Sequence, residues 1–279
     1  MSQSISIAYV VALTMFGLLF GSFANVVIWR FPRGESIVSP SSRCPHCETP
    51  VRWYDNVPVL SWIVLRARCR SCRGPIAARY PLVEALSGLL WLSAALAFGL
   101  SVQAVLAALF FWMLLVLTFI DLDTMRLPNP LVAAIAVGGL LGAVVSQVLG
   151  ISLVPLVGVT ASGIFAQPAF TAVIGCVLGA GLSGGVAALY AGVRGKSGFG
   201  MGDVKLLGAM GLFLGPYVLL ALMIGSLVGA VAGIIAAARS GAGLQSKIPF
   251  GPFLALGGVV TVLFGPALMR GYLSLVGIG

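Results

Sequence analysis

The sequence is poor in charge, and acidic residues are its scarcest charged type. Of its 279 residues, 8% are charged and 59% are hydrophobic, whereas a soluble domain carries about 25% charged residues. This composition excludes a soluble globular domain. The apolar stretches are continuous and do not alternate with polar residues, which argues against a membrane β-barrel. The composition therefore predicts an all-α polytopic membrane protein.

The first 29 residues contain no charge at all. A secretory signal would have a positive segment before its apolar run and a small-residue cleavage site after it. Neither is present, because Arg30 and Arg33 follow the apolar run. We expect residues 1–29 to form a retained first transmembrane helix, with the N-terminus on the non-cytoplasmic side.

Further spanning helices can be counted from the gaps between charged residues. A span needs about 20 apolar residues, and the later charge-free stretches cover 85–120, 127–193, 206–238 and 248–269. Turn residues divide the first three of these at 98–101, near 151–168, and at Gly215 and Pro216. The expected total is about eight transmembrane helices.

The positions of the basic residues predict the orientation of these helices. Nine of the sixteen Lys and Arg residues lie between Arg30 and Arg79, and basic residues accumulate in cytoplasmic loops. With eight spans, fifteen basic residues fall inside and only Arg270 falls outside. The net charge of +9 is thus explained by topology, and we expect no nucleic-acid partner.

Four of the five cysteines form two Cys-x-x-Cys pairs in the long polar loop at 30–80. The pairs are separated by 21 residues, a spacing typical of a tetrahedral zinc site with four thiolate ligands. A redox pair or two unrelated pairs are the alternatives. A closed four-ligand site would organise the loop and would leave no open position for catalysis. The expected ligands are Cys44, Cys47, Cys69 and Cys72, and the lone Cys176 is expected to be a small buried hydrophobic residue.

Three of the seven acidic residues lie at predicted span ends. Asp121 and Asp123 end the third span and Asp203 begins the sixth, which brings carboxylates distant in sequence to the same cytoplasmic membrane depth. Acidic residues in spans are costly and are candidates for function. Gly200 and Gly202 flank Asp203 and would let a peptide backbone approach it closely.

Two neighbouring carboxylates share a proton and titrate as a coupled pair. The ionised member can take a proton from an attacking water, and the protonated member can donate to the peptide carbonyl. The single histidine lies in the cysteine loop, which argues against a His-based triad. The alternative is structural, since aspartates at helix ends also cap helices or pair with basic residues.

Sequence motifs spread along nearly the whole chain resemble those of the type IV prepilin peptidases, which are GxGD membrane aspartic peptidases. The similar segments lie at 21–32, 44–72, 79–84, 121–128, 200–205 and 248–253. In that family the first catalytic Asp precedes a Pro by seven residues, which matches Asp121 and Pro128 and does not match Asp123. The second is the Asp of the Gly-x-Gly-Asp motif, which matches Asp203, with Gly200, Gly202 and Lys205 in the supporting loop. Asn129 stands where many relatives carry Asp.

The resemblance also implies a substrate and a methyl donor. The substrates would be type IV prepilins or pseudopilins, cleaved after a Gly at the cytoplasmic face of the bacterial inner membrane. The new N-terminus would then be methylated from S-adenosylmethionine, for which Asn25 and Glu35 are candidates, although no Gly-rich nucleotide motif is present. The zinc predicted from the cysteine spacing would be a second cofactor, in a structural role.

The expected domains are the first helix at 1–29, the zinc loop at 30–80 and a seven-helix peptidase core at 81–279. Two other readings compete with a peptidase. An ion-coupled transporter would need carboxylates near the bilayer midplane and inverted repeats, and a non-catalytic scaffold would need only the closed metal site. The sequence does not indicate an oligomeric state.

Overall fold

The computed structural model describes residues 3–151, 153, 167–195, 200–240 and 248–277. Within these ranges the regular structure is helical, apart from two isolated β-bridges. The α-helices are α1 Gln3–Arg30, α2 Leu60–Val64, α3 Arg79–Phe98, α4 Val102–Thr124, α5 Asn129–Leu149, α6 Pro168–Arg194, α7 Met201–Leu214, α8 Val218–Ser240 and α9 Gly251–Val276. Short 3-10 turns occur at Phe31–Arg33, Trp53–Asn56 and Gly215–Tyr217.

Seven segments of the described chain are long and apolar enough to cross a membrane. One of them, Met201–Arg239, has 39 residues and is broken by the 3-10 turn at Gly215–Tyr217 into α7 and α8. The protein is therefore an all-α, multi-pass membrane protein, as the composition predicted. The charge gaps predicted about eight transmembrane helices, and the described part has seven candidate spans, one of which contains both α7 and α8. With 14 residues, α7 rises only about 21 Å, less than the hydrocarbon layer of about 30 Å.

The predicted breaks between spans are confirmed where the structure describes them. Helix α3 ends at Phe98, and Ser101 caps α4 by accepting a hydrogen bond from the Ala104 N–H at 3.2 Å. Most of the predicted loop near 151–168 lies outside the described residues. Helix α9 begins at Gly251 and continues past Arg270 to Val276, whereas the charge pattern predicted a span at 248–269. Arg270 can lie at the edge of the membrane while the helix continues beyond it, so the helix is longer than the charge-free stretch.

The chain divides into two compact units, Met1–Ile120 and Asp121–Gly279, with the boundary inside α4. In the first unit, α1 packs along α3. The Ser87 hydroxyl donates to the Gly17 carbonyl at 2.6 Å, and the Trp112 indole N–H of α4 donates to the Phe20 carbonyl at 2.8 Å. These bonds satisfy polar groups inside an apolar helix packing, as membrane helices require.

In the second unit, α7 packs against α5, α6, α8 and α9. Nine of its fourteen residues are buried. A Cβ added at Gly211 of α7 would lie 2.2 Å from the Gly175 carbonyl oxygen of α6, so only glycine permits this approach. Small residues at helix contacts allow close backbone packing in membranes, and here they fix the helix that carries Asp203.

Candidate active site and cysteine cluster

The end of α4 carries Asp121 into the second unit. Its side chain is 5% exposed, and its backbone carbonyl accepts a hydrogen bond from the Met125 N–H at 2.8 Å. Met125 has a positive φ of 51°, which ends the helix. Pro128 then begins the next helix, because its carbonyl accepts the N–H of Val132 at 3.2 Å. The seven positions from Asp121 to Pro128 thus cover the last turn of α4, the loop that follows it and the N-cap of α5.

Asp123 lies two residues further along the same helix. Residues two apart point to different faces of a helix, and the Asp123 side chain is exposed. The described residues that line the cavity with Asp121 do not include it.

Asp203 lies in the first turn of α7, whose N-cap is Gly200. A Cβ added at Gly200 would lie 2.8 Å from the Asp203 carboxylate oxygen, so the glycine leaves room for this carboxylate. A Cβ added at Gly202 would lie 3.4 Å from Leu127 Cβ, which is an ordinary contact. The start of α7 is thus packed against the turn that follows Asp121.

The start of α9 supplies a third component that the charge pattern did not reveal. The Gly251 N–H donates to Oδ2 of Asp121 at 3.0 Å. A Cβ added at Gly251 would lie 2.6 Å from that oxygen and 3.2 Å from the carboxylate carbon. In the sequence, only the glycine between Phe250 and Pro252 pointed to this contact. That segment had been singled out for the family resemblance and not for any role in the site.

Asp121 and Asp203 line one cavity of about 650 Å³. Its other walls include small residues of α8 and the segment just before α9. The remaining lining residues are Met125, Gly200, Ser226, Gly229, Ala230, Ile248, Pro249 and Phe250. The cavity therefore joins two carboxylates from separate helices to a space large enough for a peptide segment.

Lys205, two residues after Asp203, also contacts the segment that follows Asp121. Its ammonium donates to Oδ1 of Asn129 at 3.1 Å, across 76 positions of sequence. This contact joins the first turn of α7 to the first residue of α5.

The four cysteines of the polar loop converge. All four sulfurs lie within 4.8 Å of one another, and Sγ of Cys44 and Sγ of Cys72 are 3.8 Å apart. Sulfurs around a tetrahedral ion with bonds of about 2.3 Å would be separated by about 3.8 Å. The cluster could therefore bind a metal ion.

The two cysteine pairs have the same backbone structure. The Cys44 N–H donates to the Thr49 carbonyl at 3.0 Å, and the Cys69 N–H donates to the Gly74 carbonyl at 2.8 Å. A β-bridge closes each turn, Arg43 with Pro50 and Arg68 with Pro75. The sequence carries this repeat as Arg-Cys-x-x-Cys-x-x-Pro, a signal beyond the cysteine spacing alone.

The electrostatics of the cluster favour a cation at its centre. Hydrogen bonds from the Thr49 side chain and backbone lower the pKa of Cys47 to about 6. For Cys72 the Gly74 N–H acts in the same direction, but burial and the three neighbouring sulfurs together outweigh it and raise the pKa to about 11. Backbone hydrogen bonds also lower the pKa of Cys69. The thiols of Cys47 and Cys69 thus ionise readily and the last thiol is opposed by its neighbours, so a cation is needed to hold four thiolates together.

An ion pair connects the second cysteine turn to the rest of the loop. The Arg70 guanidinium donates to both carboxylate oxygens of Asp55, at 2.6 and 2.8 Å. These hydrogen bonds hold the pKa of Asp55 below its usual range. Asp55 lies in the 3-10 turn Trp53–Asn56, so the pair ties this turn to the cluster.

The methylation candidates Asn25 and Glu35 make separate contacts in the described chain. The Asn25 amide donates to the carbonyls of Gly21 and Tyr80, at 3.4 and 3.2 Å, so it joins α1 to α3. Glu35 is exposed, and its described contact is a backbone hydrogen bond to the Arg30 carbonyl. The two side chains share no hydrogen bond in the described chain.

Comparisons with known proteins point to one family over most of the chain. Residues 15–98 match the bacterial peptidase A24 N-terminal domain, and residues 108–235 match the type IV leader peptidase family. Three similar proteins are each named prepilin leader peptidase/N-methyltransferase. The one from Aeromonas hydrophila is 37% identical over 93% of this chain and 92% of its own. Those from Stutzerimonas stutzeri and Pseudomonas aeruginosa are 35% and 34% identical, over 96% and 97% of this chain and 95% and 96% of theirs. No solved structure matches the chain significantly.

Proposed function

The chain belongs to the type IV leader peptidase family, and on that premise we propose that it removes the leader peptides of type IV prepilins and pseudopilins. The observation that carries this proposal is the cavity shared by Asp121 and Asp203. A membrane aspartic endopeptidase needs two such carboxylates and a space for a peptide, without a histidine or a catalytic metal.

Both carboxylates accept a hydrogen bond from a backbone N–H, Asp121 from Gly251 and Asp203 from Gly200. Such bonds favour an ionised carboxylate, and a pair that shares one proton supplies a base and an acid together. In the proposed cycle Asp121 takes a proton from the attacking water, and Asp203 protonates the peptide carbonyl oxygen. As the tetrahedral intermediate collapses, the C–N bond breaks. The proton on Asp121 then moves to the leaving nitrogen, and a hydroxyl proton returns to Asp203.

The surrounding residues hold the two carboxylates at one place. Pro128 and Lys205 support the segments that carry them, through the start of α5 and the contact with Asn129. Gly200 leaves room for the Asp203 carboxylate, and Gly202 packs beside Leu127. The division into a first span at 1–29, a zinc loop at 30–80 and a peptidase core at 81–279 stays a prediction.

The position of the basic residues supports an orientation for this chemistry. With the loop at 30–80 on the cytoplasmic side, both aspartates lie at the cytoplasmic face of the inner membrane and the N-terminus is periplasmic. A substrate with an apolar helix in the bilayer would present the bond after its leader Gly at this depth.

The proposal includes two cofactors. Zn²⁺ is the ion that four thiolates at this spacing bind in structural sites, and it would hold the loop at 30–80 through Cys44, Cys47, Cys69 and Cys72. S-adenosylmethionine would supply the methyl group for the new N-terminal amine, as the names of the similar proteins suggest. Asn25 and Glu35 remain predictions for that step.

Mass spectrometry of a co-expressed prepilin tests this function. With the wild-type chain, we expect a mature N-terminus that has lost its leader and gained one methyl group. With Asp121→Asn or Asp203→Asn we expect the full precursor. Complete cleavage by either variant would reject the proposed mechanism, and cleavage without methylation would reject only the transfer step.

A further inference from the structure

The short helix α2, in the polar loop, exposes apolar side chains. Leu60, Ile63 and Val64 are 61%, 58% and 74% exposed. Residues three and four positions apart lie on one face of a helix, so the three form one apolar surface, called here the α2 face. Exposed apolar side chains grouped on one helix face are a candidate surface for contact with a partner or a membrane.

The start of α2 is fixed to a membrane-spanning helix. The Val59 N–H, just before α2, donates to Oε2 of Glu84 at 2.8 Å. Glu84 is buried and is the sixth residue of α3. Val59 has a positive φ of 62°, a conformation that a β-branched residue rarely adopts, and the bond to Glu84 holds it there.

The position of Glu84 along α3 indicates how deep the start of α2 lies in the membrane. Helix α3 has 20 residues and rises about 30 Å, the thickness of the hydrocarbon layer. Glu84 lies about 7.5 Å along it, and helix side chains lean toward the N-terminus. The Val59 amide, and with it the start of α2, therefore lies near the boundary between headgroups and acyl chains.

The residues around α2 fit an anionic lipid surface. Arg66 and Arg68 follow α2 closely and are exposed. Trp53 is 83% exposed in a 3-10 turn that is joined to α2 by the Ser61 hydroxyl, which donates to the Tyr54 carbonyl at 3.2 Å. Tryptophan is enriched at membrane interfaces, and arginines near a membrane are attracted by anionic lipids.

We propose that the α2 face lies in the membrane interface against anionic phospholipid, so that the loop at 30–80 is bound to the membrane surface as well as tethered by α1 and α3. The proposal does not depend on the peptidase activity. A protein partner fits less well, because a stable interface needs about 1,000 Å² of buried surface and a five-residue helix offers far less.

Photocrosslinking of the full chain in lipid vesicles tests this proposal. The photoreactive residue p-benzoylphenylalanine would replace Ile63, in vesicles of phosphatidylethanolamine and phosphatidylglycerol. Leu89 of α3, which is 59% exposed, is the lipid-facing control, and Val38, which is 88% exposed in the same loop, is the control outside the α2 face. After irradiation, intact mass spectrometry reads the adducts.

We expect lipid adducts at Ile63 at a yield close to that at Leu89 and several times that at Val38. We also expect phosphatidylglycerol to be over-represented among the adducts, because of Arg66 and Arg68. A yield at Ile63 no higher than at Val38, or crosslinks to a second copy of the chain or to added prepilin in place of lipid, would overturn the proposal. Replacement of Val64 gives an independent second reading if the Ile63 variant does not fold.

Discussion

The backbone N–H of Gly251 donates to the carboxylate of Asp121 across 130 positions of sequence, at 3.0 Å. This bond joins the start of α9 to the end of α4 and fixes one carboxylate of the cavity. The same glycine leaves no room for a side chain, so the position of the carboxylate depends on it.

Replacing Gly251 by Ala should therefore impair peptide cleavage strongly. The added Cβ would lie 2.6 Å from the Asp121 oxygen and would displace the carboxylate, and a displacement of about 1 Å can cost about 100-fold in rate. We expect kcat to fall by about that factor while KM changes little, measured with purified prepilin. Gly271→Ala is the matched control, because it lies in the same helix and a Cβ there meets nothing within 4 Å. Equal activities of the two variants would contradict the positioning role.

Asn129→Asp should preserve activity. The Lys205 ammonium already donates to Oδ1 of Asn129, and a carboxylate at the same place would turn this hydrogen bond into an ion pair worth about 1 kcal/mol or less at an exposed site. We expect unchanged cleavage and a slightly higher melting temperature that falls back with added salt. A large loss of cleavage would show that the amide itself is needed.

Cys44→Ser and Cys69→Ser should each release the metal and destabilise the loop. A structural zinc site contributes about 10 kcal/mol or more to the folding of a small domain, so loss of one ligand should lower the amount of intact protein in the membrane. Metal content by mass spectrometry and membrane abundance are the measurements. Cys176→Ser, outside the cluster, should retain both, and a wild-type protein free of zinc with normal abundance would contradict the zinc assignment.

The ion pair of Asp55 and Arg70 should make the stability of the loop depend on acid. The folded pKa of Asp55 is lowered, chiefly by its hydrogen bonds from Arg70. The pair therefore contributes fully above the ordinary Asp pKa of about 3.9, and its contribution is lost as pH falls through the lower folded value. The melting temperature of Asp55→Asn should lie below that of the wild type at neutral pH, and the gap should close only in strong acid. A gap that closes between pH 7 and pH 5 would contradict this sign.

Much of this fold could be predicted because charged residues are rare inside membrane-spanning helices, so charge-free stretches mark the spans. Turn-forming residues interrupt the charge-free stretches after Phe98 and at Gly215, and both turns are found there. The spacing of the cysteines predicts their cluster. The hydrogen bond of Gly251 could not be predicted from charge, since a backbone donor has no side-chain signature. The burial of Glu84 was missed for a related reason, because its partner is the backbone of Val59.

The central claim is that Asp121 and Asp203 together cleave the prepilin, and that Asp123 does not. Its most direct test is the rate of prepilin cleavage by purified protein in vesicles, for the Asp→Asn variant at each of the three positions. Loss of a general acid or base costs about 100- to 10,000-fold, so we expect losses of that size at Asp121 and Asp203 and a rate near the wild type at Asp123. A wild-type rate for Asp203→Asn, or a loss at Asp123 equal to that at Asp121, would contradict the account.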